Sequence, residues 1–239
     1  RSTLFPYTTL FRSVQVAETR LSLGALAADW RGRFTLPLIA VTGSNGKTTT
    51  KEMIASILKV VYGDAVLVTQ GNYNNDIGLP LTLLRLQASH RAAIIEMGMN
   101  HPGEIAYLAG IAHPSVAVVT NAQRAHLEGM GSLAAIASEK GSIYSGLGQS
   151  GVAVFCADDQ WAELWRSQSR GLGVMTFAFE KGADVVGRFH LHGLESRLSV
   201  AAGGDEVEIV LSLPGRHNAR NALAAATADR KSTRLNSSH

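Results

Sequence analysis

From residue 36 onward, short apolar runs alternate with stretches of helical spacing. Leu38–Val41, Ala65–Thr69, Ala92–Glu96, Ser115–Thr120, Val152–Cys156 and Val174–Phe179 predict strands. Helical patterns fall between them, over about 47–61, 79–87, 102–110, 131–147 and 159–168. Such alternation predicts an α/β fold, a mainly parallel sheet flanked by helices. After residue 183 the pattern shifts to period two in VVGRFHLHG, ESRLSVAAG and EVEIVLSL, which predicts a smaller antiparallel β segment with glycine-rich turns. A last helix, RHNARNALAAATA, starts after Pro214-Gly215. Residues 14–35 read as a linker carrying a short helix. There is no internal repeat and no low-complexity tract.

Composition narrows the function classes. The 239 residues are 46% hydrophobic, which is enough for one large domain with a sizeable core. A single cysteine excludes a disulfide framework and a multi-cysteine metal site. No apolar run approaches the roughly 20 residues of a membrane helix. The first 30 residues lack a signal-peptide pattern, so a cytoplasmic setting is expected. The formal charge of +3 comes from the ends. Residues 1–13 and 229–239 hold five of the 22 basic residues and one of the 19 acidic ones, and without them the balance is −1. That gives no reason to expect nucleic-acid binding. Neither end joins the periodicity of its neighbour, and both resemble translated sequencing-adapter DNA. They are set aside from the fold.

AVTGSNGKTTT (40–50) lies between a strand and a helix, where a phosphate cradle belongs. Gly43 and Gly46 let backbone N–H groups come close to phosphate oxygens, and Ser44, Asn45 and Thr49 belong to the same expected nucleotide-binding set. Lys47 would reach the β/γ-phosphates and Thr48 would ligate Mg²⁺. Val41 stands where the longer Walker pattern needs glycine, so this is the shorter G-x-x-G-K-T form. GLGQSG (146–151) matches the dinucleotide fingerprint but follows a helix and precedes a strand, the reverse of the required order; it reads as a helix stop and turn.

Glu96 ends its strand at the carboxyl edge of the expected sheet, where ligands bind, and can hold Mg²⁺ through oxygen or cap a helix. His126 follows strand 115–120 at the same edge. His101 is close to Glu96 in sequence. Lys140 lies in the 131–147 helix with Ile136, Ile143 and Tyr144 near it and Glu139 turned aside. By composition alone it is a surface lysine.

In order and spacing, TGSNGKTT, GNYNNDIGLPLTLLRL, IIEMGMNHPGEI, VVTNAQRAHLEGMGSLAAIASEKGSIYSGL and GRHNARNALAAA together resemble the Mur ligases over nearly all of residues 36–228. The phosphate loop and the H-N-x-x-N motif are shared with folylpolyglutamate synthetase. GNYNNDIGLPLTLL and EMGMNHPGEI look specific to the D-alanyl-D-alanine-adding branch. The resemblance implies a three-domain enzyme of which this chain carries the central ATPase domain, with 14–35 arriving from a preceding domain. It implies an ATP-dependent amide ligase of peptidoglycan precursor synthesis, with UDP-MurNAc-tripeptide and D-alanyl-D-alanine as substrates, acting as a monomer.

Residue by residue, it implies that Lys47 and Thr48 bind the ATP phosphates and the first of two Mg²⁺ ions. Glu96 and His126 become metal ligands. Lys140 becomes the lysine that takes up CO₂ as a carbamate, which would help hold the second Mg²⁺. His217, Asn218 and Asn221 match the adenine-side motif, although the two asparagines would also suit helix-start capping. The loop with Asn72, Asn74, Asn75 and Asp76 faces the peptide substrate or is turn chemistry. Two alternatives stay open: another ligase of the superfamily, such as a diaminopimelate- or lysine-adding enzyme or folylpolyglutamate synthetase, and a non-catalytic P-loop module. Pure nucleotide binding does not require Glu96, His126 and Lys140 beside the loop.

Overall fold

The computed structural model describes residues 14–123, 130–179, 182–192 and 195–235. One nine-stranded sheet runs through it, in the order β2-β3-β1-β4-β5-β6-β7-β8-β9. The strands are β1 (Leu38–Thr42), β2 (Val66–Val68), β3 (Ala92–Glu96), β4 (Val116–Val119), β5 (Val152–Cys156), β6 (Gly173–Ala178), β7 (Val185–His192), β8 (Glu195–Ala202) and β9 (Asp205–Leu211). All pairings from β2 across to β7 are parallel; β7–β8 and β8–β9 are antiparallel. The period-two segment therefore extends the main sheet as a meander.

The helices are α1 (Thr19–Gly32), α2 (Lys47–Tyr62), α3 (Gly78–Leu83), α4 (Glu104–Ala112), α5 (Leu133–Gly141), α6 (Ala162–Gln168) and α7 (Arg216–Leu235). Strand alternation divides the core between them. Leu38 and Ala40 of β1 face a layer with Ala27, Leu79, Leu108, Ile136 and Trp165; Ile39 and Val41 face Ile54 and Leu58 of α2 and Leu223 of α7. Every residue of β1, β3, β4 and β5 is buried, as expected of strands covered on both faces.

Three differences from the sequence expectation have local causes. The 131–147 helix ends at Gly141 and continues as a 3-10 turn, Ser142–Gly146. A Cβ on Gly141 would collide with the carboxamide of Gln168 and the ring of Trp165, so α6 packs directly on backbone there. Secondly, α1 is docked on the domain. The buried guanidinium of Arg31 donates to the carbonyls of Phe34, Leu36, Ala112 and His113, tying α1 to the end of α4 and the entry to β1. Thirdly, α7 continues past Asp229 to Leu235, into the stretch expected to be separate from it. No glycine or proline interrupts this stretch, and Arg230 Nη1 anchors it to the Ala202 carbonyl at 2.9 Å. GLGQSG is a turn between the 3-10 segment and β5, as expected. Among the described residues no helix is long and apolar enough to cross a membrane.

Candidate functional site

The chain reverses its direction of winding around β1, which lies between β3 and β4, so a crevice opens at the carboxyl ends of these three strands. The phosphate loop leaves β1 here. Gly46 has φ 78° and starts α2, a left-handed conformation that suits glycine. A Cβ on it would strike the Asn221 carboxamide, and one on Gly43 would strike the Thr120 hydroxyl.

The loop is stitched to the segment after β4. Ser44 N–H donates to the Asn121 carbonyl, and Asn45 N–H donates to Asn121 Oδ1, both at 3.0 Å. Ser44 Oγ exchanges hydrogen bonds with the backbone of Gln123, and Asn45 Nδ2 donates to Gln123 Oε1 at 2.7 Å. The amides of Ser44 and Asn45, two residues of the expected nucleotide-binding set, are thus engaged by the segment after β4. The amides left for an anion are those at the start of α2, from Gly46 to Thr49, where the helix dipole also favours negative charge.

Lys47 folds back on the loop, its Nζ 2.9 Å from the Gly43 carbonyl. Burial lowers its pKa and the Glu96 carboxylate pulls it back up. Thr48 Oγ1 donates to Glu96 Oε2 at 2.9 Å, and Asn74 Nδ2 donates to Glu96 Oε1 at 2.8 Å. Glu96 is only 2% exposed, so an acid at the end of a buried strand is held by these two donors with Lys47 nearby. Among the described residues no group of three or more His, Cys, Asp or Glu side chains gathers as a metal cage. Mg²⁺ needs no such cage, since it keeps waters and substrate phosphates around one or two protein oxygens. Thr48 and Glu96 fit that donor set. His126 lies outside the described residues.

Lys140 is 1% exposed and not a surface residue. Burial, reinforced by the like charge of Lys47, lowers its pKa to about 7, against a raising effect of Glu139. An amine with that pKa is largely neutral in slightly alkaline water, the form that reacts with CO₂. Glu139, expected to turn aside, is buried instead. Its two oxygens accept from Gly103 N–H and Ile105 N–H at 2.9 Å, capping α4 from a different helix.

Two cavities flank the loop. One, of about 410 Å³, is lined by Asn45, Gly46, Thr49, Asn121, Gln123, His217, Asn218 and Asn221, with Arg216 and Arg220. Asn218 Nδ2 donates to the Pro214 carbonyl, so this asparagine is partly spent on the start of α7, whereas Asn221 abuts Gly46. The other, of about 360 Å³, brings together Lys47, Lys140, Asn74, Asn75, Asp76 and His101, with Arg20 and Tyr107. Asn75 Oδ1 accepts from Ile77 and Gly78 N–H, the turn chemistry foreseen as the alternative, and Asp76 pairs with Arg20 at 3.2 Å. Asn72 is exposed and does not line this cavity. Asn121, Gln123, Arg20 and Tyr107 carry no role in the sequence reading, and Glu139 was expected to turn aside. Only Asn121 carried a signal, its place just beyond a strand at the carboxyl edge.

Comparison with known proteins gives a consistent picture. A sequence model described as the Mur ligase middle domain matches residues 41–228. A Haemophilus influenzae protein named UDP-N-acetylmuramoyl-tripeptide--D-alanyl-D-alanine ligase is 44% identical over 213 residues, covering 88% of this chain and 46% of that protein. The chain spans about half the length of the curated relatives it matches. Among solved structures, MurF from Acinetobacter baumannii superposes with TM-score 0.85 at 38% identity, covering 90% of this chain and 47% of that one. MurF ligase from Thermotoga maritima, in complex with ADP, superposes with TM-score 0.79 at 29% identity, covering 92% and 52%.

Proposed function

Because the chain belongs to the Mur ligase family, we propose that it is the central ATP-binding domain of the cytoplasmic enzyme that joins D-alanyl-D-alanine to UDP-MurNAc-tripeptide. The observation that carries this is the position of Lys47. It stands at the phosphate loop beside the 410 Å³ cavity, and its side chain lines the 360 Å³ cavity together with Lys140. A nucleotide with its base near His217, Asn218 and Asn221 would run its phosphates along the Gly46–Thr49 amides. Its last phosphoryl group would then face the second cavity, where a substrate carboxylate has Lys47 and Lys140 for company.

The chemistry is amide formation driven by ATP. The terminal carboxylate of the tripeptide attacks the γ-phosphorus, ADP leaves, and an acyl phosphate results. The amine of D-alanyl-D-alanine then adds to that carbonyl, loses a proton and expels phosphate. Phosphoryl transfer asks a protein chiefly for positioning and charge neutralisation. Lys47 supplies charge at the transferring group, and Asn74 orients Glu96. Mg²⁺ held by Thr48 and Glu96, with His126 and a carbamate on Lys140 for a second ion, would screen the phosphate charge. Residues 36–228 make up this domain; the uridine and amine-side contacts belong to the rest of a three-domain monomer, and this piece alone does not ligate.

The test is a chimera in which residues 36–228 replace the matching stretch of the Haemophilus influenzae relative. Phosphate release should require ATP, UDP-MurNAc-tripeptide and D-alanyl-D-alanine together, and should vanish with Lys47→Ala. A folded chimera that releases no phosphate with all three substrates present, where the parent enzyme does, would overturn the assignment.

A further inference from the structure

The carboxamide of Asn121 closes a ring of two hydrogen bonds on the backbone of Asn45. Asn45 N–H donates to Oδ1 at 3.0 Å, and Nδ2 donates to the Asn45 carbonyl at 2.9 Å. Thr120 Oγ1 donates to the same carbonyl at 2.8 Å. Both residues are buried, Asn121 at 7% and Thr120 at 2% exposure, while Asn45 itself is exposed. The Asn45 carbonyl belongs to the peptide unit whose other end is Gly46 N–H. In a planar trans peptide the two groups point in opposite directions, so fixing the carbonyl aims the amide. Gly46 N–H is the first amide of the phosphate cradle, and no described residue accepts a hydrogen bond from it.

Without a clamp this peptide would be poorly held. Gly46 crosses between left- and right-handed conformations at little cost, and the Asn45 side chain reaches out to Gln123 instead of packing in the core. A rotated Asn45–Gly46 peptide would present a carbonyl oxygen to the phosphate, replacing an attraction by a repulsion. We propose that Asn121, assisted by Thr120, is a positioning residue for nucleotide binding: it holds the Asn45–Gly46 peptide so that Gly46 N–H faces the phosphate. This rests on the reading of the loop as a nucleotide site.

The experiment is a MgADP titration of the ¹⁵N-labelled chain followed amide by amide, with hydrogen exchange measured on the same samples. In the wild type, MgADP should shift the amides of Gly46–Thr49. In Asn121→Ala, the Asn45 amide should lose its protection while amides outside residues 43–49 keep theirs. MgADP affinity should then fall about tenfold, the scale of one lost charge-assisted hydrogen bond. Thr120→Val removes one donor to the carbonyl at nearly constant volume, and should weaken binding by a smaller factor with the Asn45 amide still protected. It serves as the deciding variant if Asn121→Ala does not fold. Wild-type affinity in the folded variants, against a wild type that binds, would overturn the clamp. A wild type that shows no shift at Gly46–Thr49 would overturn the nucleotide reading itself.

Discussion

Thr48 at the start of α2 and Glu96 at the end of β3, 48 residues apart in the chain, meet through a 2.9 Å hydrogen bond. Their meeting follows from topology. β1 and β3 are parallel neighbours with Val41 opposite Glu96, so the loop that leaves β1 passes over the end of β3. An oxygen pair fit for a hard divalent cation is thereby placed next to the amides at the start of α2.

Glu96→Gln keeps the shape of this pair and removes its charge. Glutamine has one acceptor oxygen for the two donors, Thr48 and Asn74, so a modest loss of stability is expected. The larger effect falls on the metal. Wild-type chain should bind ADP at least about tenfold more tightly with Mg²⁺ than without, and Glu96→Gln should bind equally in both. Calorimetric titration with and without Mg²⁺ measures this.

Lys140 makes stability depend on pH with a definite sign. Its folded pKa is about 7, below the ordinary lysine value of 10.5, so between these limits the unfolded chain holds more protons than the folded one. Stability therefore rises as pH increases from about 7 towards 10. Below pH 7 both states are protonated and the full cost of the buried charge is present. Lys140→Met removes that cost. It should raise the unfolding midpoint at pH 6–7 and flatten the slope above pH 7, as thermal melts across the range would show.

Gly46→Ala forces a side chain onto a left-handed residue and into the Asn221 carboxamide. The strain is about 1–2 kcal/mol before the collision is counted. Relief by turning the peptide would withdraw the first cradle amide. Nucleotide affinity should fall more than tenfold while the far side of the sheet keeps its hydrogen-exchange protection.

Arg31→Met tests the docking of α1. The substitution leaves four carbonyls near the helix ends without their donor, at a cost of about 3 kcal/mol. Urea unfolding should show the midpoint falling with little change in slope. An unchanged midpoint would mean that α1 contributes nothing to the domain.

How much of this was legible in the sequence depended on the kind of signal. Ala92–Glu96 and Val152–Cys156 form strands with the expected bounds, because a continuous apolar run between turn residues marks a buried strand at both ends. The Gly46-Lys47-Thr48 loop was legible because its chemistry is local. Glu139 was not: its partners, Gly103 and Ile105, lie on another helix, and a buried carboxylate that caps a distant helix leaves no periodic trace. Asn121 escaped for the same reason, its partner being the backbone of Asn45. The change from α5 to a 3-10 turn after Gly141 left no mark in the helical spacing, and neither did the close approach of α6 to that glycine.

In the proposed reaction the substrate carboxylate takes the phosphoryl group directly from ATP at Lys47. The most direct measurement uses the chimera with UDP-MurNAc-tripeptide carrying ¹⁸O in its terminal carboxylate. An acyl phosphate route transfers one ¹⁸O to each phosphate released, visible by mass or by ³¹P shift. Phosphate released without ¹⁸O, while the peptide product still forms, would contradict it.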